Sequence, residues 1–203
     1  MEAYDISHWV LQSLLYIALP RCLIIISLST IVFSIGDSGT NNLENRIKAT
    51  YLSKMDILTG LYNRFSFTEK TEAYEKNRPN HLICIYADAD GLHALNDEKG
   101  HFVGDAFLKL CGKVMKDGFG DDCYRIGGDE FVAFTESMNE ADVSAMLDEI
   151  TKKLDAEHYH MSFGICSLKE GMSISDMIRN AEQKMYQSKN DYYLLTHKDR
   201  RKY

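Results

Sequence analysis

With 203 residues and 45% apolar side chains, the chain can bury a core, which excludes wholesale disorder and suits one globular domain plus an appendage. A net charge of −7 makes it a poor general binder of nucleic-acid backbones, so any handling of phosphates must rely on local groups and metal ions. The five cysteines (Cys22, Cys84, Cys111, Cys123 and Cys166) are odd in number, widely spaced and without a C-x-x-C pair, a pattern of reduced thiols rather than a disulfide framework.

The first element is the apolar run "WVLQSLLYIALPRCLIIISLSTIVFSI", Trp9 to Ile35. About 20 such residues cross a bilayer, so residues 1–41 read as a membrane segment with a transmembrane helix over about 11–35. Arg21 lies within snorkelling reach of one end, and Pro20 permits a kink. Glu2 and Asp5, with no early Lys or Arg, argue against a signal peptide. The alternative is an apolar helix packed on the globular part. After the break "GDSGTNN" comes a predicted linker helix within 42–55, with Leu43, Ile47 and Met55 at helical spacing, a seam that could equally mate with a second copy. The basic excess from Arg46 to Lys54 favours a cytoplasmic side for the globular part. Span and linker are too small for a ligand pocket of ordinary size, so an input is expected through the membrane segment, a partner or expression level.

The globular domain is expected over 56–191, with a tail over 192–203. "HLICIYADAD" reads as a buried strand from Leu82 to Asp88, and "CYRI" with "FVAF" as a hairpin. Phe107, Leu110, Cys111 and Val114 mark one amphipathic helix; Val143, Met146, Leu147, Ile150 and Leu154 mark another. "YHMSFGICSL" is a further strand, and Ile174, Met177, Ile178, Ala181 and Met185 mark the last helix. The fold class is therefore α/β (α+β), a mixed sheet covered by helices.

Asp88 and Asp90 close the first strand, two apart and so on one side if the strand continues. Gly91 then lets the chain turn into a helix whose N-terminus favours an anion. If that strand lies beside the hairpin, Asp88, Asp129 and Glu130 meet at one sheet edge. Close carboxylates raise one another's pKa unless a cation intervenes, and Mg²⁺ is commonly held by one or two carboxylates plus substrate phosphates. Taken singly, each pair of acids could equally be a turn or a helix cap.

These pieces resemble the GGDEF family, the diguanylate cyclases of bacterial signalling. The ordered motifs are "DILTGLYNR" (Asp56 to Arg64), "DADGLHALNDEKGHFVGD" (Asp88 to Asp105), "RIGGDEF" (Arg125 to Phe131), "SFGICSL" and "AEQKMYQSK". The resemblance implies a mainly antiparallel sheet surrounded by helices, related to nucleotidyl cyclase and polymerase palm domains. It also implies a reaction joining two GTP into cyclic di-GMP with release of two pyrophosphates, across a homodimer at a bacterial inner membrane. It assigns metal contacts (Mg²⁺ or Mn²⁺) to Asp88, the Ala89 carbonyl and Asp129, and catalytic roles to Asp129 and Glu130. Substrate contacts fall to Asn96, His101, Asp105, Gly127, Gly128 and Lys189. The chemistry of Asp105 is readable directly, since a carboxylate accepts from the N1–H and N2–H of guanine and is refused by adenine N1.

This chain departs from the family at three places. Leu92 and His93 replace a common aromatic–Lys pair, "NDYYLL" replaces a Gly-Arg-Asn-Arg-type tail, and Gly118 stands where the R-x-x-D product-inhibition site has its arginine, with Asp121 as the acid. Weak or absent product inhibition is expected. The lost cations leave a second reading open, a degenerate domain that binds GTP without turnover; a plain scaffold domain is a third.

Overall fold

The computed structural model describes residues 53–196, together with Val10, 27–30 and 49–50. Apart from residues 27–30, the expected span over about 11–35 lies outside the described residues, as does most of the linker helix. Among the described residues no helix is long and apolar enough to cross a membrane. The chain divides into two compact units, Met1–Tyr51 and Leu52–Tyr203; the second contains the sheet and the helices around it.

Its elements are β1 (Tyr62–Asn63), α1 (Arg64–Lys76), β2 (Ile83–Ala89), α2 (Leu92–Lys99), α3 (His101–Phe119), β3 (Cys123–Arg125), β4 (Glu130–Thr135), α4 (Glu140–Asp155), β5 (Met161–Ser167) and α5 (Ile174–Leu195). The five strands run in the order β1-β3-β4-β2-β5. β2 pairs antiparallel with both β4 and β5, β3 and β4 form the hairpin, and β1 joins β3 in parallel. This is a mixed, largely antiparallel sheet flanked by helices.

β2 reads as an unbroken apolar run because helices cover both faces of the sheet, and every one of its residues is buried. Ile83, Ile85, Ala87 and Ala89 face a core with Phe107, Cys111 and Met115 of α3 and Val143, Ile150 and Leu154 of α4. Cys84 and Tyr86 face the opposite core, with Tyr74 of α1 and Ile174, Met177, Ala181 and Met185 of α5. Cys84, Cys111, Cys123 and Cys166 are buried free thiols.

Asn139 opens α4 with a capping box closed by Asp142, and Ser173 caps α5. α5 lies directly against β5 at Gly164, where a Cβ would come within 2.0 Å of the Ala181 carbonyl and 2.3 Å of the Met185 nitrogen. Only a residue without a side chain permits that approach, and it sets where the far end of α5 falls.

α1 has no counterpart among the predicted elements. Only Ser66 and Tyr74 of its residues are buried, so its sequence carries little periodic signal. The linker helix ends one residue early: Ser53 and Lys54 are helical, but Met55 bridges Tyr62.

Candidate active site

The acids converge at the C-terminal end of β2. Asp88 is paired in register with Glu130 of β4 on one side and Ser162 of β5 on the other. The Ala89 N–H donates to the Asp129 carbonyl at 2.8 Å, which ties the hairpin turn to the end of β2. From the α5 side, Lys189 Nζ reaches Asp88 Oδ1 at 2.5 Å and Asp90 Oδ1 at 3.7 Å. The Tyr86 hydroxyl donates to Glu130 Oε1 at 3.0 Å and fixes that side chain.

The charges in this cluster do not balance. Burial, helped by the neighbouring Asp129 and Asp90 and opposed by Lys189, pushes the Asp88 carboxyl up to about 6. Burial alone would lower Lys189, but the contact with Asp88 and the fields of Asp90 and Asp129 leave it above the usual lysine range. Burial is thus the chief cause at Asp88, whereas the surrounding acids are what raise Lys189.

Asp90 is a hub with a different set of partners. Its Oδ2 accepts from the Ser162 hydroxyl at 2.6 Å and lies 2.8 Å from His160 Nδ1, while its Oδ1 is buried without a hydrogen bond. His160 in turn stacks on Tyr192 of α5, ring centroids 3.6 Å apart. The dyad spacing brought Asp90 to notice, but nothing in the sequence pointed to His160, Ser162 or Tyr192, which depend on β5 lying next to β2 and α5 docking across it.

The hairpin turn has its own clamp. Arg125 donates to the Gly128 carbonyl through Nη2 at 2.6 Å and through Nε at 3.2 Å, and its Nη1 reaches Asp56 Oδ1 at 3.1 Å. Burial pushes the Asp56 carboxyl up, but hydrogen bonds from the Thr59 hydroxyl and N–H and from Arg125 outweigh it and hold it below the usual carboxylate range. The motifs "DILTG" and "RIGGDEF", 69 residues apart at this pair, are thus one structural unit. A Cβ on Gly127 would meet Glu130 Oε2 at 2.4 Å, whereas one on Gly128 would meet open space.

The remaining predicted substrate contacts lie on α2 and α3. Asn96 packs against α3 at Gly104, where a Cβ would fall 1.9 Å from Asn96 Oδ1. That oxygen is buried and meets no hydrogen-bond donor among the described residues. Asp105 is the next residue along α3, and both it and His101 are exposed. His93, in the place of the family's lysine, is exposed and sits 3.1 Å from Asp97 of its own helix.

The donor set suits a hard divalent cation, which takes oxygen ligands. Asp88, Asp129 and the Ala89 carbonyl offer these, and Asp88, raised chiefly by burial, is a carboxyl whose ionised form a bound ion would stabilise. Among the described residues no three His, Cys, Asp or Glu side chains gather into a closed cage. The residues therefore fit an ion completed by phosphates rather than a free-standing structural metal.

Acids at the end of a central strand and on the adjoining hairpin, in a mainly antiparallel sheet under helices, place the domain in the palm-like class of folds. Residues 53–192 match the family described as diguanylate cyclase, GGDEF domain, and the chain belongs to that family. It is similar to diguanylate cyclase DgcS of Shewanella oneidensis, 30% identical over 145 residues that cover 66% of this chain and 49% of that protein. It also resembles diguanylate cyclase DgcP of Escherichia coli, 32% identical over 153 residues, 68% of this chain and 45% of that one. The chain thus spans about half the length of these curated relatives. Among solved structures, the coiled coil and GGDEF domain of DgcB from Caulobacter crescentus, in complex with c-di-GMP, shares the fold at a TM-score of 0.73, with 20% identity over 81% of this chain and 95% of that one.

Proposed function

We propose that the chain is a diguanylate cyclase, condensing two GTP into cyclic di-GMP and two pyrophosphates as a homodimer in which each domain holds one GTP. In each half-reaction a 3′-oxygen bonds to the partner's α-phosphorus, the bond from that phosphorus to the pyrophosphate oxygen breaks, and the 3′-hydroxyl proton passes to Asp129. The observation that carries this reading is the pairing of Asp88 with Glu130 beside Asp129, with Asp88 lifted to about 6 chiefly by burial and further by Asp129 and Asp90.

Asp88, the Ala89 carbonyl and Asp129 would hold Mg²⁺ or Mn²⁺, which supplies charge neutralisation at the α-phosphate and acidifies the attacking hydroxyl. Glu130, oriented by Tyr86, completes the acidic centre. Lys189 stands at the phosphates as the cation. Gly127 and Gly128 bring bare backbone to the nucleotide, with open space at Gly128. Asn96 and Asp105 receive the guanine edge, with His101 beside them. The N-terminal segment tethers the domain to a bacterial inner membrane with catalysis on the cytoplasmic side.

The test is to incubate the full chain with GTP and Mg²⁺ beside an Asp129→Ala, Glu130→Ala double variant and identify products by chromatography and mass. Cyclic di-GMP from the wild type alone is expected. GTP binding by a dimer without product would replace the cyclase with a degenerate nucleotide receptor.

A further inference from the structure

Asp90 is fixed to β5 at both backbone and side chain. Its N–H donates to the His160 carbonyl at 3.0 Å, and its Oδ2 accepts from the Ser162 hydroxyl at 2.6 Å and lies 2.8 Å from His160 Nδ1. The side chain is only 2% exposed, yet Oδ1 meets no hydrogen-bond donor among the described residues. A buried carboxylate oxygen without a donor is unfavourable in a low-dielectric interior. Lys189 Nζ stands 3.7 Å from that oxygen, too far for a hydrogen bond, and 2.5 Å from Asp88 Oδ1. One ammonium thus lies between two carboxylates, bonded to the first and about 1 Å short of bonding the second.

Asp88 Oδ1 has two claimants. A divalent ion needs bare carboxylate lone pairs, and Lys189 takes one on a side chain that is itself only 9% exposed. Ammonium and divalent ion repel at such range, the more so where water is scarce. Lys189 must therefore yield as Asp88 turns to an ion. Its own side chain is 16% exposed, so release without a new partner would strand a largely buried charge. Asp90 Oδ1 is the acceptor within reach, and the bonds to Ser162 and His160 hold that carboxylate in place.

We propose that Lys189 competes with the divalent ion for Asp88, and that Asp90 is the positioning residue that receives the Lys189 ammonium when the ion takes Asp88. This rests on the reading of Asp88 as a metal ligand. The exchange keeps the lysine's charge beside the acids, so the ion binds without expelling the cation assigned to the phosphates.

The test is a double-substitution cycle read by Mn²⁺ affinity on the full chain, with free Mn²⁺ followed by electron paramagnetic resonance. Lys189→Met should bind Mn²⁺ about 10-fold more tightly, since the competitor is gone. Asp90→Asn should weaken binding by about 10-fold more with Lys189 present than in the Lys189→Met background, the scale of a hydrogen bond between charged groups. Equal weakening in both backgrounds overturns the proposal, because it marks only the field of Asp90 on the ion. A smaller weakening with Lys189 present also overturns it, since the ammonium then leaves for solvent. So does a Mn²⁺ affinity that Lys189→Met leaves unchanged or lowers. If the unsubstituted chain binds no Mn²⁺ even with a non-hydrolysable GTP analogue, the metal-site reading fails and takes the proposal with it, a result distinct from a cycle that shows no coupling. Should Asp90→Asn not fold, aspartate labelled with ¹³C at Cγ gives a second reading. Mg²⁺ should move the Asp90 carboxyl signal in the unsubstituted chain and move it much less in Lys189→Met; equal movement in both overturns the proposal.

Discussion

The turn carrying Asp129 and the C-terminal end of α5 are fastened by different forces. Charge holds the turn, through Asp56 on Arg125 and Arg125 on the Gly128 carbonyl. Ring packing holds the last turns of α5, through Tyr192 stacked on His160 and in edge contact with Tyr193. A charged clamp fixes direction, because guanidinium and carboxylate meet in one planar geometry. Stacked rings fix separation and tolerate sliding. Asp129 is thereby held sharply in one orientation, while the end of α5 beyond Lys189 can adjust.

The strongest way to break this comparison is at the acids themselves. Glu130→Ala should lower cyclic di-GMP formation by at least about 100-fold while leaving the fold intact, as for loss of a charged group at a reacting centre. Steady-state product formation checks this, with circular dichroism as the control. Next, Arg125→Ala should cost about 10-fold in kcat, because it frees the Gly128 carbonyl and leaves Asp56 without its cation. Tyr192→Leu should cost only about threefold, chiefly in KM, as expected for one lost stacking contact. If the ring substitution proved the costlier of the two, the assignment of orientation to the charged clamp would be wrong.

The sequence made the β2 acids and the hairpin legible for a physical reason. An apolar run with carboxylates at its end, and two short runs about a Gly-containing turn, are local patterns. β2 lies one residue further along than predicted, Ile83–Ala89 instead of Leu82–Asp88, which leaves Asp88 inside the strand rather than at its tip. α1 was hidden because its buried positions are too few to impose a period. The Tyr86–Glu130 contact and the Asp90–Ser162–His160 set could not be read, since they exist only through the order β4-β2-β5. Arg125 and Asp56 lay within the quoted motifs, but a partnership across 69 residues has no local signature.

A smaller effect is expected from Asp88. Its carboxyl is raised from 3.8 to about 6, so the folded state binds that proton more tightly than the unfolded chain. The stability this group contributes is complete below about pH 4 and is lost as pH climbs through about 6. Thermal melts without metal should show that decline, and Asp88→Asn should flatten it. Mg²⁺ needs the ionised carboxylate, so the rise in Tm on adding Mg²⁺ should grow across the same window; a pH-independent rise would place the ion elsewhere. The smallest effect is expected from product. A Cβ added at Gly118 would stand 3.0 Å from Met146, and Asp121 pairs with Lys116, so micromolar cyclic di-GMP should leave the rate unchanged.

The close approach at Gly164 gives α5 the character of a lever. The helix is pinned near its middle, where Gly164 admits Ala181 and Met185, and its N-terminal end is tied to α1 by the Ser175 N–H on Glu75. Lys189 and Tyr193 ride on the arm beyond the pin. At 1.5 Å of rise per residue, the stretch from Ala181 to Tyr193 measures about 18 Å, so a tilt of about 5° at the pin swings Tyr193 by roughly 1.5 Å. That is enough to make or break a hydrogen bond. Torque applied through α1 would therefore be read out at the Lys189–Asp88 contact.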